Sequence, residues 1–160
     1  MTTSITVNHS FETGHRLPHL EGKCESLHGH SWKVEVTISA PQTSAAGTLA
    51  MFGDLKRDLR TFVDRSLDHG LMLGGADPLV AILVPHGKVF VFDDDSAPTF
   101  STNDLIKGLY WPTVENVAHL LARYSRLILE GIDHVDGAYV SGVTVSETST
   151  NSATWTAKHA

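Results

Sequence analysis

The chain has 160 residues, 41% of them hydrophobic, and a formal net charge of −6. That length and apolar content predict one compact domain over 1–160 with its own core. The acidic balance argues against a nucleic-acid surface, while leaving room for an anionic small molecule near local basic groups such as Arg16, Lys23, Lys56 and Arg57. No run of about 18 apolar residues occurs, so no membrane span is expected. The Met-Thr-Thr-Ser-Ile start lacks the basic-then-apolar layout of a secretory leader, which predicts a cytoplasmic protein. The single cysteine, Cys24, excludes an internal disulfide framework.

Ile5 to Phe11 alternate, with the odd positions mostly apolar, and predict a half-buried strand. A second strand runs from His28 to about Ala40, with His28, His30, Trp32, Val34, Val36 and Ile38 on one face. The two are expected to pair antiparallel, with Gly14 to Leu27 as a long loop at their end. Pro41 to Gly47 is turn-rich. Leu55, Leu59, Phe62, Val63 and Leu67 recur at helical spacing; Gly53 or Asp54 can cap this helix, which should end near Leu67. Leu71 to Pro78 reads as a glycine-rich loop. Leu79 to Val84 fits either a helical turn or a strand.

Lys88 to Phe92 predicts a strand ended by Asp93-Asp94-Asp95, and 96–110 reads as irregular. Thr113 is a good N-cap for a second long helix whose apolar stripe is Val117, Leu120, Leu121, Tyr124, Leu127 and Ile128, with Gly131 just past its end. Ala138 to Val145 is a last strong strand that puts Val143, Val145 and Glu147 on one face. The tail from Thr148 is polar, with Trp155 as its large apolar anchor. The expectation is an α+β fold, a mostly antiparallel sheet with two long helices on one face.

Chemistry concentrates in Cys24-Glu-Ser-Leu-His28-Gly29-His30 and the upstream His15. Histidines two apart on a strand point the same way. Three imidazoles converging from neighbouring strands make a metal site with an open position, the catalytic kind. Imidazole suits zinc, copper, nickel or iron, and zinc is the default for chemistry that moves no electrons. Cys24 reads either as a small buried hydrophobe or, beside Lys23 in a polar loop, as an acid/base thiol. Asp68-His69 reads as a helix end or as a relay in which the carboxylate fixes the imidazole tautomer. Glu147, in register with buried valines, needs a partner: a basic group, or a ligand with adjacent N–H donors. Glu115 suits the positive end of its helix.

Together these residues resemble the 6-pyruvoyltetrahydropterin synthase / 6-carboxytetrahydropterin synthase family. The shared motifs run in order: His15, Cys24-x-x-x-His28-Gly29-His30, Leu67-Asp68-His69, Pro112-Thr113-x-Glu115-Asn116 and Val145-x-Glu147-Thr148. The resemblance implies the tunnelling fold (T-fold), whose subunit sheets join into a barrel, and a homohexamer of two trimers with active sites at subunit contacts. It implies Zn2+ on His15, His28 and His30, a catalytic Cys24 with Asp68 and His69, and a pterin anchored by Glu147, with Glu115 and Thr113 also at the substrate. The three-residue gap between Cys24 and His28 resembles the bacterial 6-carboxytetrahydropterin synthases, which convert 7,8-dihydroneopterin triphosphate and serve queuosine and deazapurine biosynthesis. A pyruvoyltetrahydropterin synthase and a non-catalytic pterin-binding homologue are the alternatives. A zinc hydrolase is disfavoured, because no Glu neighbours the histidine pair in a metalloprotease-like spacing. Met51 stands where members often have an acidic residue, and no Asn lies near Leu73.

Overall fold

A computed structural model describes residues 2–93 and 103–158. Its framework is a long antiparallel pair, β1 (Thr3–His15) and β2 (His28–Ala40), in register over their full lengths from Thr3 opposite Ala40 to His15 opposite His28. The alternation seen in the sequence decides which face is covered. Val7, Phe11, Thr13 and His15 of β1 and Trp32, Val34, Val36 and Ile38 of β2 are buried. They pack under α1 (Phe52–Ser66) and α4 (Val114–Gly131), whose apolar stripes Leu55, Leu59, Phe62, Val63 and Val117, Leu120, Leu121, Ile128 join the same core. The opposite face is polar. There Thr6 meets Thr37 at 3.0 Å, and Ser31 donates to the Glu12 carboxylate at 2.8 Å.

The sheet has six strands in the order β4-β3-β1-β2-β5-β6, completed by β3 (Gly70–Gly74), β4 (Val89–Phe92), β5 (Tyr139–Ser146) and β6 (Ser152–Thr156). It is mostly antiparallel, as expected, in its β1–β2, β2–β5 and β5–β6 pairings, and becomes mixed through β3, which runs parallel to both β1 and β4. β3 corrects the reading of Leu71 to Pro78 as a loop. Its Leu-Met-Leu centre lies between covered neighbours, so it shows an apolar run instead of an alternation. β6 was concealed in the polar tail, and Trp155 does anchor it, packed on the core with Arg126 stacked 4.6 Å above the ring.

The first strand reaches four residues further than predicted, through the Gly14-His15 step. Leu79–Leu83 is a short helix, α2, and Asn103–Ile106 is a helical turn, α3, inside the stretch read as irregular; 96–102 of that stretch lies outside the described residues. Helix α1 starts after Met51, not after Gly53 or Asp54, and α4 keeps Gly131 as its last residue. Thr113 caps α4 as expected, its hydroxyl accepting from the Asn116 amide at 3.2 Å.

Candidate metal centre and proton-relay dyad

The β1–β2 register places His15 directly opposite His28 and Thr13 opposite His30, all on the covered face. Ring centroids are 4.7 Å apart for His15 and His28, 4.8 Å for His28 and His30, and 5.4 Å for His15 and His30. Glu147, one residue past β5, completes the group. Its Oε1 lies 3.1 Å from His15 Nε2 and 3.6 Å from His30 Nε2. One ligand atom from each of the four residues falls within 4.8 Å of the others. Trp32 forms the floor, with its ring edge-on to His15 at 5.0 Å and its indole N–H on the Thr13 carbonyl.

The tautomers fit a cation. His15 Nδ1 donates to the Pro112 carbonyl at 2.9 Å, and His28 Nδ1 to the Ser26 carbonyl at 2.7 Å. That leaves their Nε2 lone pairs bare, and backbone carbonyls behind ligating imidazoles are the usual way to fix a metal ligand. Burial holds the His15 pKa below the ordinary imidazole value, against the Pro112 carbonyl and the Glu147 carboxylate, which raise it. A neutral ring facing a carboxylate sets lone pair against lone pair. His15 Nε2 and His30 Nε2 are indeed buried without a hydrogen bond, despite the short approach of Glu147. Orphaned buried acceptors around one point are what a divalent ion satisfies.

Cys24 sits in a single 3-10 turn, Lys23–Glu25, as a half-buried free thiol. Its loop closes on itself through the Leu17 amide and the Cys24 carbonyl at 2.7 Å, with Leu17 buried as an anchor. His19 of the same loop stacks on Trp111 at 4.4 Å. Trp111 in turn lies so close to β3 that a Cβ at Gly74 would collide with the indole, so glycine is required there. Sequence reasoning missed this His19–Trp111 clasp and the Pro112 carbonyl. The Trp111-Pro112 pair beside a capped helix was the available signal for the first; a main-chain acceptor has none.

Asp68 and His69 follow α1. The Asp68 carboxylate accepts the His69 Nδ1 proton at 2.7 Å and the Glu12 amide at 2.8 Å, and the His69 amide returns to the Glu12 carbonyl at 2.7 Å. His69 takes a left-handed backbone, φ 53, and its side chain is 80% exposed. Burial opposes it, but the Glu12 N–H, His69 and the charge of Lys88 hold the Asp68 carboxyl below its usual pKa. The dyad is thus a formed acid/base pair with Nε2 presented outward. It joins β1 through the main chain of Glu12, in the same strand as His15. No hydrogen bond or ion pair among the described residues links it to Cys24. Thr113 is occupied as a cap, and Glu115 is exposed in the first turn of α4, outside the metal-capable group.

The sequence profile of the 6-pyruvoyl tetrahydropterin synthase family matches residues 4–158. The chain belongs to this family. Relatives named 6-carboxy-5,6,7,8-tetrahydropterin synthase include those of Rickettsia bellii, 39% identical over 67 residues covering 42% of this chain and 49% of that protein. The Aquifex aeolicus protein of that name is 25% identical over 168 aligned positions, covering 96% of this chain and 97% of its own. For the Rickettsia relative, the match spans about half of its length. Among solved structures, an uncharacterized protein from Wolinella succinogenes superposes with a TM-score of 0.75 at 27% identity, covering 99% of both chains. Caenorhabditis elegans 6-pyruvoyl tetrahydropterin synthase shares the fold, with a TM-score of 0.64 at 20% identity over 99% of this chain and 97% of that one. The T-fold expected from the motifs is therefore the fold of this family member, with helices on one face and a mixed sheet. No helix among the described residues is long and apolar enough to cross a membrane.

Proposed function

We propose that the protein is a zinc-dependent lyase of the 6-carboxytetrahydropterin synthase kind, converting 7,8-dihydroneopterin triphosphate to 6-carboxy-5,6,7,8-tetrahydropterin with loss of triphosphate and acetaldehyde. The observation that carries the reading is the convergence of one ligand atom each from His15, His28, His30 and Glu147, with the Nε2 atoms of His15 and His30 buried without a hydrogen bond. His15, His28 and His30 would hold Zn2+. The ion supplies Lewis acidity toward the substrate's hydroxylated side chain, stabilising negative charge that develops on its oxygens. Cys24 moves protons on the side chain and ring carbon. His69, with Nδ1 committed to Asp68, exchanges protons through Nε2. Asp68 holds the tautomer. Because His69 is exposed and no hydrogen bond or ion pair among the described residues links the dyad to Cys24, we assign it to the site of an adjoining subunit in a homohexamer of two trimers. Glu115 and Thr113 belong to the substrate's surroundings in this reading, at the start of α4 beside the Pro112 carbonyl.

Incubating the protein with dihydroneopterin triphosphate and identifying the products by mass tests the assignment. Acetaldehyde and the 6-carboxy pterin are expected. Triphosphate release with an intact carbon chain would instead make it a pyruvoyltetrahydropterin synthase. Tight pterin binding without turnover would make it a binding protein. The 6-carboxy product, if formed, would be suited to queuosine and deazapurine synthesis in the cytoplasm.

Glu147 is assigned as the pterin anchor, two parallel hydrogen bonds from ring N–H donors giving strength and direction. Its 3.1 Å approach to His15 Nε2 favours a second role as fourth ligand when substrate is absent. Glu147→Gln separates the two. As anchor alone, it is expected to lower kcat/KM about 100-fold with zinc content unchanged. Loss of zinc on the same substitution would assign Glu147 to the metal.

A further inference from the structure

The turn that carries the dyad is held by a group outside it. The last carbonyls of an α-helix lack main-chain partners. At the end of α1 the amides of Leu67 and Asp68 both go to the Val63 carbonyl, passing over that of Asp64. Lys88, the residue before β4, takes the place of the missing donor. Its ammonium donates to the Asp64 carbonyl at 2.7 Å and to the Asp68 carbonyl at 2.6 Å. Its main-chain carbonyl accepts from the Leu71 amide at 3.0 Å, and its aliphatic stem lies where a Cβ on Gly70 would be, 3.0 Å from that position. One side chain therefore pins both ends of the segment Asp64–Asp68 and covers the residue after His69. The opposite side of the turn is fixed by the two Glu12 main-chain bonds and by the Asp64 carboxylate on His9 at 3.1 Å. His69 depends on these supports: it is bonded to Asp68 and Glu12, its ring is exposed, and its left-handed backbone is a conformation that a non-glycine residue keeps only when its surroundings impose it.

We propose that Lys88 is a positioning residue for the Asp68–His69 dyad, setting the direction of His69 Nε2 by clamping the carbonyls of Asp64 and Asp68. This rests on the reading of the dyad as the proton relay. Methionine at 88 keeps the stem over Gly70 and removes the donors, which lets the turn relax and the imidazole wander. A displaced proton-transfer group lowers turnover more than binding.

The test is a cycle of four proteins: wild type, Lys88→Met, His69→Ala and the double variant, assayed with dihydroneopterin triphosphate by product mass. Lys88→Met is expected to reduce kcat about 10-fold with KM within about two-fold, Lys88→Arg to recover most of the loss, and Lys88→Met to have no further effect once His69 is alanine. Unchanged kcat in Lys88→Met overturns the proposal. So does an undiminished Lys88→Met effect in the His69→Ala background, the signature of a general folding role. Full activity of His69→Ala would instead overturn the relay reading itself. Lys88→Gln, with a shorter neutral donor, reads out the same comparison should the methionine variant not fold.

Discussion

His30→Ala is expected to release the metal and lower turnover by about three orders of magnitude, the worth of several kcal/mol of charge stabilisation. His30 is the informative choice. His15 is fully buried and bonded to Pro112, so its removal would also open a cavity beside Trp32. His30 is half-buried, and its Nε2 is buried without a hydrogen bond beside Glu147, so its loss acts at the cluster. Zinc per chain by elemental analysis and product formation should fall together, and excess zinc should restore part of the rate. Retention of stoichiometric zinc at the wild-type rate would remove His30 from the ligand set. The same physics predicts that zinc raises the melting temperature, because an ion bound only by the folded state stabilises it, by about 4 kcal/mol at a thousandfold excess over Kd. Acid should weaken the binding, since each imidazole must be unprotonated to ligate. Burial favours the neutral form of His15, which gives that ring the advantage as pH falls.

The legible parts of this chain were those whose chemistry lies in side-chain order. β1 and β2 announce themselves by alternation, and one register then forces His15, His28 and His30 onto a common face. Glu147 followed from its phase with Val143 and Val145, both fully buried. β3 was illegible because a strand between two parallel neighbours has no polar face to mark it, and Gly74 reads as loop until Trp111 is seen against it. β6 pairs with β5 alone and occupies the end of the sheet order; its Ser-Ala-Thr-Trp-Thr pattern has one covered side chain large enough to notice. The carbonyls of Pro112, Ser26, Asp64 and Asp68, which fix the tautomers of His15 and His28 and hold Lys88, have no sequence signature, because every residue owns a carbonyl. The motifs put Cys24, Asp68 and His69 forward as one catalytic group, an expectation that mixing of inactive subunits tests. That the Asp68–His69 pair forms with no hydrogen bond or ion pair to the Cys24 loop among the described residues was not legible in them.

That separation gives the second large expectation. Cys24→Ala and His69→Ala should each lose activity by about 10²–10⁴, the range for removing a positioned acid or base. The two inactive proteins, unfolded together and refolded as mixed oligomers, should regain activity. If each site takes Cys24 from one subunit and His69 from another, random mixing in equal amounts rebuilds about a quarter of the sites with both groups intact. If both groups served the same site from one chain, no mixture would contain an intact site, since every chain lacks one of them. Mixing without refolding provides the control, because subunits that do not exchange cannot complement. The geometry favours recovery. His69 Nδ1 is committed to Asp68, its side chain is exposed, and the Glu12 main chain fixes the dyad beside β1. A refolded mixture as inactive as its parents, with oligomers confirmed by mass, would place the relay within one chain and require the Cys24 loop to swing across the β1 edge to meet it.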